Sequence, residues 1–186
     1  MDDSEENPFR VQKTREIYEN PWIKLTEFGV VNPAGNSGIY GVVHFKNRAV
    51  GVIPYERGQI WLVGQFRFAL HRYSWEIPEG GAPEGESLEQ TARRELKEET
   101  GFEAKRLRSL LTMHLSNSVT DEYGEVFLAT DLTAGTPNPE ETEQLKVKQV
   151  SLAEAYAMVS AGEITDSLSV TGIFKLVLME KEGLLP

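Results

Sequence analysis

Apolar and polar positions alternate loosely from Phe9, where Val11 and Lys13 follow at a period of two, and later segments give way to repeats of three and four. Two extended segments run from about Phe9 to Val31, where Trp22, Lys24, Thr26, Phe28 and Val30 interleave with Ile23 and Leu25. The cluster Asn32-Pro33-Ala34-Gly35-Asn36-Ser37-Gly38 then reverses the chain. Further strands are expected over Gly38–Phe45, Ala49–Tyr55 and Gln59–Phe66, the last two joined at Glu56-Arg57-Gly58. Trp75-Glu76-Ile77-Pro78 leads into a glycine-rich turn. Lys105–Leu115, Glu125–Thr130 and a segment holding Leu145, Val147 and Val150 complete the predicted strands.

Three helices stand apart from this pattern. Ser87 with Gln90 forms a capping box, Leu88, Ala92 and Leu96 repeat every four residues, and Gly101 suits a left-handed stop. Ser151 with Glu154 starts a second helix, with Leu152, Ala155, Tyr156 and Val159 expected inside and Gly162 at its end. A third is expected from about Ser167 to Glu182, burying Ile173, Phe174, Val177 and Leu178. A mixed sheet between helices follows, an α+β sandwich in the class with helices on both sides.

On the first helix Glu95, Glu98 and Glu99 share one face, three and four residues apart. Such a face is either solvated or held together by a divalent cation, and hard oxygen donors suit Mg²⁺ or Mn²⁺. His44, His71 and His114 have no paired spacing, so they read as structural or solvated, and a zinc site is not expected.

Charge narrows the partners. The net charge is −10, and no Lys/Arg cluster longer than Arg93-Arg94 interrupts it, which disfavours nucleic acid and anionic membranes. A phosphate-bearing substrate would need bound metal and a few placed arginines. At 186 residues one core with a small extension is the default. No apolar run approaches the roughly 18 residues of a membrane span. The acidic residues 1–8 read as a frayed leader rather than a signal peptide. The absence of cysteine excludes disulfides and fits a reducing, cytoplasmic setting.

Gly80, Glu86, Arg94, Glu95, Leu96, Glu98, Glu99, Gly101 and Phe102 fill every specified place of GX5EX7REUXEEXGU, with U apolar. Chance agreement is on the order of 10⁻⁷. The stretch resembles the Nudix box. Gln65-Phe66-Arg67, Trp75 to Gly81, and Glu141-Thr142-Glu143-Gln144-Leu145 further resemble the ADP-ribose and nucleoside-diphosphate-sugar pyrophosphatase branch. The resemblance implies an α/β/α Nudix fold over 39–186, preceded by a β-rich extension over 9–38 through which two subunits pair as a homodimer.

It also implies Mg²⁺-dependent hydrolysis of a diphosphate linkage, with Mn²⁺ as a possible substitute. Glu95 and Glu99 would bind metal directly and Glu98 and Glu86 more weakly, with the backbone carbonyl of Glu79 adding a ligand. Arg94 would orient the carboxylates. The general base would come from Pro137 to Glu143, with Glu141 first, Glu140 the alternative in register, and Glu143 a further metal ligand. Arg67 could meet the diphosphate or form a surface ion pair. Glu76 could accept from substrate hydroxyls or pair with Arg93 or Arg94. Trp22, Phe28 and Trp75 could stack on a base or sit in the core. Where ADP-ribose-specific members carry a proline, Asn117 stands here, so sugar nucleotides such as GDP-mannose stay within the expected range. Two alternatives remain: hydrolysis of nucleoside triphosphates, dinucleotides or capped RNA, and a non-catalytic nucleotide-sugar sensor.

Overall fold

The computed structural model describes residues 6–138 and 145–186. The chain forms two compact units: one holds residues up to Asn47 with His114–Glu122, the other Arg48–Met113 with Tyr123–Pro186.

The first unit is a three-stranded antiparallel sheet, β1 (Arg10–Glu19), β2 (Ile23–Val31) and β3 (Ser37–Phe45). Asn20 sets the β1–β2 turn, its Oδ1 accepting from the N–H groups of Trp22 and Ile23. The unit is thin, and large apolar side chains such as Val11, Tyr18 and Ile39 stay exposed. Asp121 closes the loop of residues 114–122 onto β3, accepting from Phe45 N–H and lying 2.6 Å from His44 Nδ1. Burial works to raise the Asp121 carboxyl, but the His44 ring and the Phe45 N–H hold it below its ordinary value.

The second unit is built on a mixed sheet of order β10-β5-β4-β9-β8. Its strands are β4 (Arg48–Glu56), β5 (Gln59–Arg67), β8 (Glu103–His114), β9 (Tyr123–Thr133) and β10 (Lys146–Ser151). β4 and β9 run parallel and β10 lies antiparallel to β5. Two short strands attach to this path: β6 (Arg72–Glu76) on β5 and β7 (Glu79–Ala82) on β4. The glycine-rich stretch expected as a turn is therefore a strand, because Glu79–Ala82 finds Arg48–Gly51 as an antiparallel partner. Backbone pairing decided that, and side-chain pattern could not reveal it.

The strict period of two places a core on each face of the central strands. Val50, Val52, Phe127 and Ala129 face α1 (Leu88–Thr100), while Ile53, Tyr55, Val126 and Leu128 face α2 (Leu152–Ser160) and α3 (Ser167–Lys181). The α+β sandwich is observed as expected. The inner faces of two helices differ from the sequence reading, however. In α3 the buried apolar side chains are Leu168, Ile173, Leu176 and Met179, with Ser169 buried beside them, whereas Phe174 and Leu178 are exposed. In α2, Leu152, Ala155 and Met158 are buried and Tyr156 is exposed. Gly172 explains the choice in α3. A Cβ there would lie 2.9 Å from Ile53 Cδ1, so the glycine side is where the helix approaches the sheet. Tyr156 and Phe174 instead meet each other, ring centroids 5.8 Å apart. Among the described residues no helix is long and apolar enough to cross a membrane.

Candidate active site

The site is assembled by α1 and the strand before it, all within the second unit. Ser87 caps the helix, its Oγ accepting from Gln90 N–H while Gln90 Oε1 accepts from Ser87 N–H. Gly101 ends it at φ 77°, a conformation that costs a side-chain-bearing residue and not glycine. The apolar side of α1, Ala92 and Leu96, is fully buried against the sheet. This anchoring turns Glu95 and Glu99 inward as well, at 8% and 1% exposure. Two carboxylates that deep on one helix face must be balanced by charge or by hydrogen bonds.

Arg94 supplies much of the balance. Its Nη1 donates to Glu95 Oε1 at 2.6 Å and to Glu98 Oε2 at 3.0 Å. Its Nη2 donates to the Gly81 carbonyl at 3.1 Å and to Glu86 Oε2 at 3.2 Å. Glu86 also accepts from Thr91 Oγ1. The Arg94 contact, opposed by slight burial and helped by Thr91, holds the Glu86 carboxyl below its ordinary value. One guanidinium thus joins three of the carboxylates and the backbone of β7, as a planar five-donor fork can and a lysine cannot.

Gly80 completes the fit. A Cβ at this position would overlap the carboxylate of Glu95, so glycine leaves the room in which that carboxylate rests against β7. Next to it Glu79 links two clusters. Its N–H donates to Glu99 Oε2 at 3.0 Å, and its side chain accepts from Arg67 Nη2 at 2.7 Å. Arg67 also grips Glu76 through Nε and Nη2 at 2.5–3.0 Å. Burial opposes the charge of Arg67, but Glu76 and Glu79 more than offset it, and the guanidinium stays charged. Glu79 is driven well above the usual carboxylate range by burial first, then by Asp166 and Glu76, with Arg67 opposing.

The structure thus brings together Arg67, Glu76, Glu79, Arg94, Glu95, Glu98 and Glu99. Trp22 lies in the other unit, 68% exposed at the β1–β2 turn. Trp75 is half-buried beside Tyr73, with Lys148 Nζ 5.8 Å from its ring centroid. Glu140, Glu141 and Glu143 fall outside the described residues. The chain leading to them is fixed all the same: Asn138 N–H donates to the Glu98 carbonyl at 2.8 Å. A side chain at Gly101 would meet Pro137 N at 2.7 Å, so the segment is packed on the end of α1.

Sequence reasoning missed two features. Glu76 pairs with Arg67 rather than with Arg93 or Arg94, although the β5–β6 register sets Val63 opposite Glu76 and Arg72 opposite Arg67, so neither spacing nor strand register announces the contact. Asp166, the N-cap of α3, bears on Glu79 and Arg67 electrostatically, and the sequence reading of that helix, from about Ser167, did not include it.

As a cation site, α1 and β7 offer carboxylate and backbone carbonyl oxygen, a hard donor set that fits Mg²⁺ or Mn²⁺. The absence of room for a side chain at Gly80 keeps Glu95 pressed against that backbone. Among the described residues no three acidic or imidazole side chains form a ready cage, since Arg94 lies between Glu95 and Glu98.

Comparison with known proteins agrees with this arrangement. Residues 45–168 match the NUDIX domain, so the chain belongs to the Nudix family. It is 34% identical to an ADP-ribose pyrophosphatase of Bacillus subtilis, covering 89% of this chain and 90% of that protein. It is 28% identical to a methanol dehydrogenase activator of Bacillus methanolicus, over 90% of this chain and 92% of that one. Among solved structures, an ADP compounds hydrolase superposes with a TM-score of 0.85 at 20% identity, covering 95% of this chain and 97% of the other. That last likeness speaks to the fold.

Proposed function

We propose that this chain, a Nudix pyrophosphohydrolase, hydrolyses the diphosphate linkage of ADP-ribose or a closely similar nucleoside diphosphate sugar. Water adds to one phosphorus and the bridging P–O bond breaks, giving a nucleoside monophosphate and a sugar phosphate. One observation carries the reading: a complete box helix, with Glu95 and Glu99 turned inward, in a chain similar over nearly its whole length to an ADP-ribose pyrophosphatase.

Glu95 and Glu99, with the Glu79 carbonyl and Glu98 beside them, would hold the divalent ion. Such an ion lowers the pKa of water and offsets charge on the diphosphate. Arg94 keeps Glu95 and Glu98 in place through the contacts described above. Arg67, gripped by Glu76 and Glu79 and still partly exposed, directs positive charge toward a diphosphate. Glu141, with Glu140 as the alternative, takes the proton of the attacking water, and Glu143 adds a metal ligand. The exposed apolar side chains of the three-stranded unit support its role as a homodimer contact, and the chain works in the cytoplasm without nucleic acid or membrane.

The test is a panel of ADP-ribose, GDP-mannose, UDP-glucose, NADH and nucleoside triphosphates with Mg²⁺, products resolved by chromatography. Cleavage of ADP-ribose or a sugar nucleotide, abolished by EDTA and restored by Mg²⁺, is expected. Cleavage confined to triphosphates would overturn the substrate, and no cleavage at all would overturn the enzyme. Size-exclusion chromatography with light scattering reads the dimer directly.

A further inference from the structure

A second region of the same unit has no part in the chemistry above. A groove of about 750 Å³ runs along β8, at one end of the sheet order. Arg93 from α1 and Lys105, Arg106 and Arg108 from β8 line it, with Leu128 and Leu184 among its apolar walls. The chain carries 29 acidic residues against 19 lysines and arginines, so four cations around one concavity run against its overall balance. Folding gathers them: Arg93 belongs to a different element from the other three.

Their pairing leaves charge to spare. Arg106 meets Asp131 at 2.8 Å with both side chains well exposed, a contact worth little in water. Arg93 meets Glu89 at 2.9 Å and the Ala104 carbonyl at 2.7 Å. Lys105 and Arg108 have no carboxylate within ion-pair distance among the described residues, and Arg108 Nη2 reaches only the Met179 thioether at 3.5 Å. Charged residues on an end strand do guard against edge-to-edge pairing. That duty requires neither a concave surface nor apolar walls.

We infer that this groove is a second anion site, distinct from the carboxylate cluster, and that it takes a phosphomonoester. Lys105 and Arg108 are the cations left for the anion, in a groove that Pro186 also lines. Arginine forks suit its oxygens. The volume lies within the range of about 300–1,000 Å³ usual for small-molecule sites, and the leucines can cover an attached sugar or base.

The experiment is a titration of the full chain, in EDTA, with inorganic phosphate, ribose 5-phosphate and adenosine monophosphate, followed by ¹H–¹⁵N spectra. EDTA removes metal-assisted binding at the α1 carboxylates. Saturable shifts are expected at Arg93, Lys105, Arg106 and Arg108, with a Kd on the order of 1 mM or tighter. The paired substitution Lys105→Ala and Arg108→Ala should weaken binding about tenfold, and raised salt should weaken it too. Both side chains are exposed, so an unchanged unfolding midpoint is the control, with Lys105→Glu alone as a second variant. Tighter binding of the nucleotide than of phosphate assigns a role to the leucines. Equal affinities assign the binding to the anion alone. Shifts that do not saturate, that map to the Glu95 face, or that survive both variants would overturn the site, as would equal binding of adenosine.

Discussion

Gly80 and Glu99 show how much one position can decide. Gly80→Ala places a methyl group where the Glu95 carboxylate lies, and that carboxylate is the movable partner. Stability should fall by about 1–3 kcal/mol, as for a modest overpacking. On the proposed role of Glu95 as a metal ligand, metal affinity should fall by about 10–100-fold, because that carboxylate is displaced. Calorimetric titration with Mn²⁺ beside a denaturant curve checks both. Glu99→Gln is the complementary case: the amide oxygen can still accept from Glu79 N–H, so the fold survives. Turnover should drop by about 10²-fold or more, several kcal/mol of lost charge stabilisation, with an unfolding midpoint near that of the parent. Normal rates would remove Glu99 from the metal site. Glu95 and Glu99 were legible as a pair because their spacing on a helix is fixed by 3.6 residues per turn, whereas Gly80, on β7, was legible only as a fixed place in the box. Arg67 and Glu76 were legible only as separate candidates. Their mutual grip joins residues that are not cross-strand partners, Glu76 facing Val63 and Arg67 facing Arg72 in the β5–β6 register, so it is a matter of side-chain reach that the sequence does not display.

Among the elements, α1 and α3 contrast. Every local signal for α1 agrees: the Ser87–Gln90 box, the apolar spacing and the Gly101 stop, all observed where the sequence puts them. In α3, Ile173, Phe174, Leu176, Val177, Leu178 and Met179 surround the helix, so periodicity alone does not name a buried side. The approach of Gly172 to Ile53 and Val126 selects it. Ile173→Ala should therefore cost about 2–5 kcal/mol, as cavities in a full core do. Phe174→Ala should cost clearly less, since that ring is 41% exposed and rests mainly on Tyr156. Equal losses in urea would place the helix the other way round.

At the scale of the whole molecule, pH and chain connection matter. The Asp121 carboxyl is held below its ordinary value by His44 and the Phe45 N–H against the opposing effect of burial. A carboxyl depressed in the folded state stabilises fully above its unfolded pKa, and this is lost as pH falls through the folded value. The unfolding midpoint of the parent should thus decline more steeply below about pH 4 than that of Asp121→Asn. Scanning calorimetry across pH 2.5–6 reads the difference, and parallel curves would refute the linkage.

Asn138 is tied to the Glu98 carbonyl, and Lys146 resumes in register opposite Gly64. Asn138 and Lys146, on either side of the connection, are thus both held by backbone contacts to elements of the second unit. On the proposed role of Glu141 as general base, one glycine inserted after Pro139 should lower turnover, with the circular-dichroism melt as the control for folding. Such an outcome would mean that evolution can retune this enzyme by the arithmetic of a short connector, leaving the scaffold untouched.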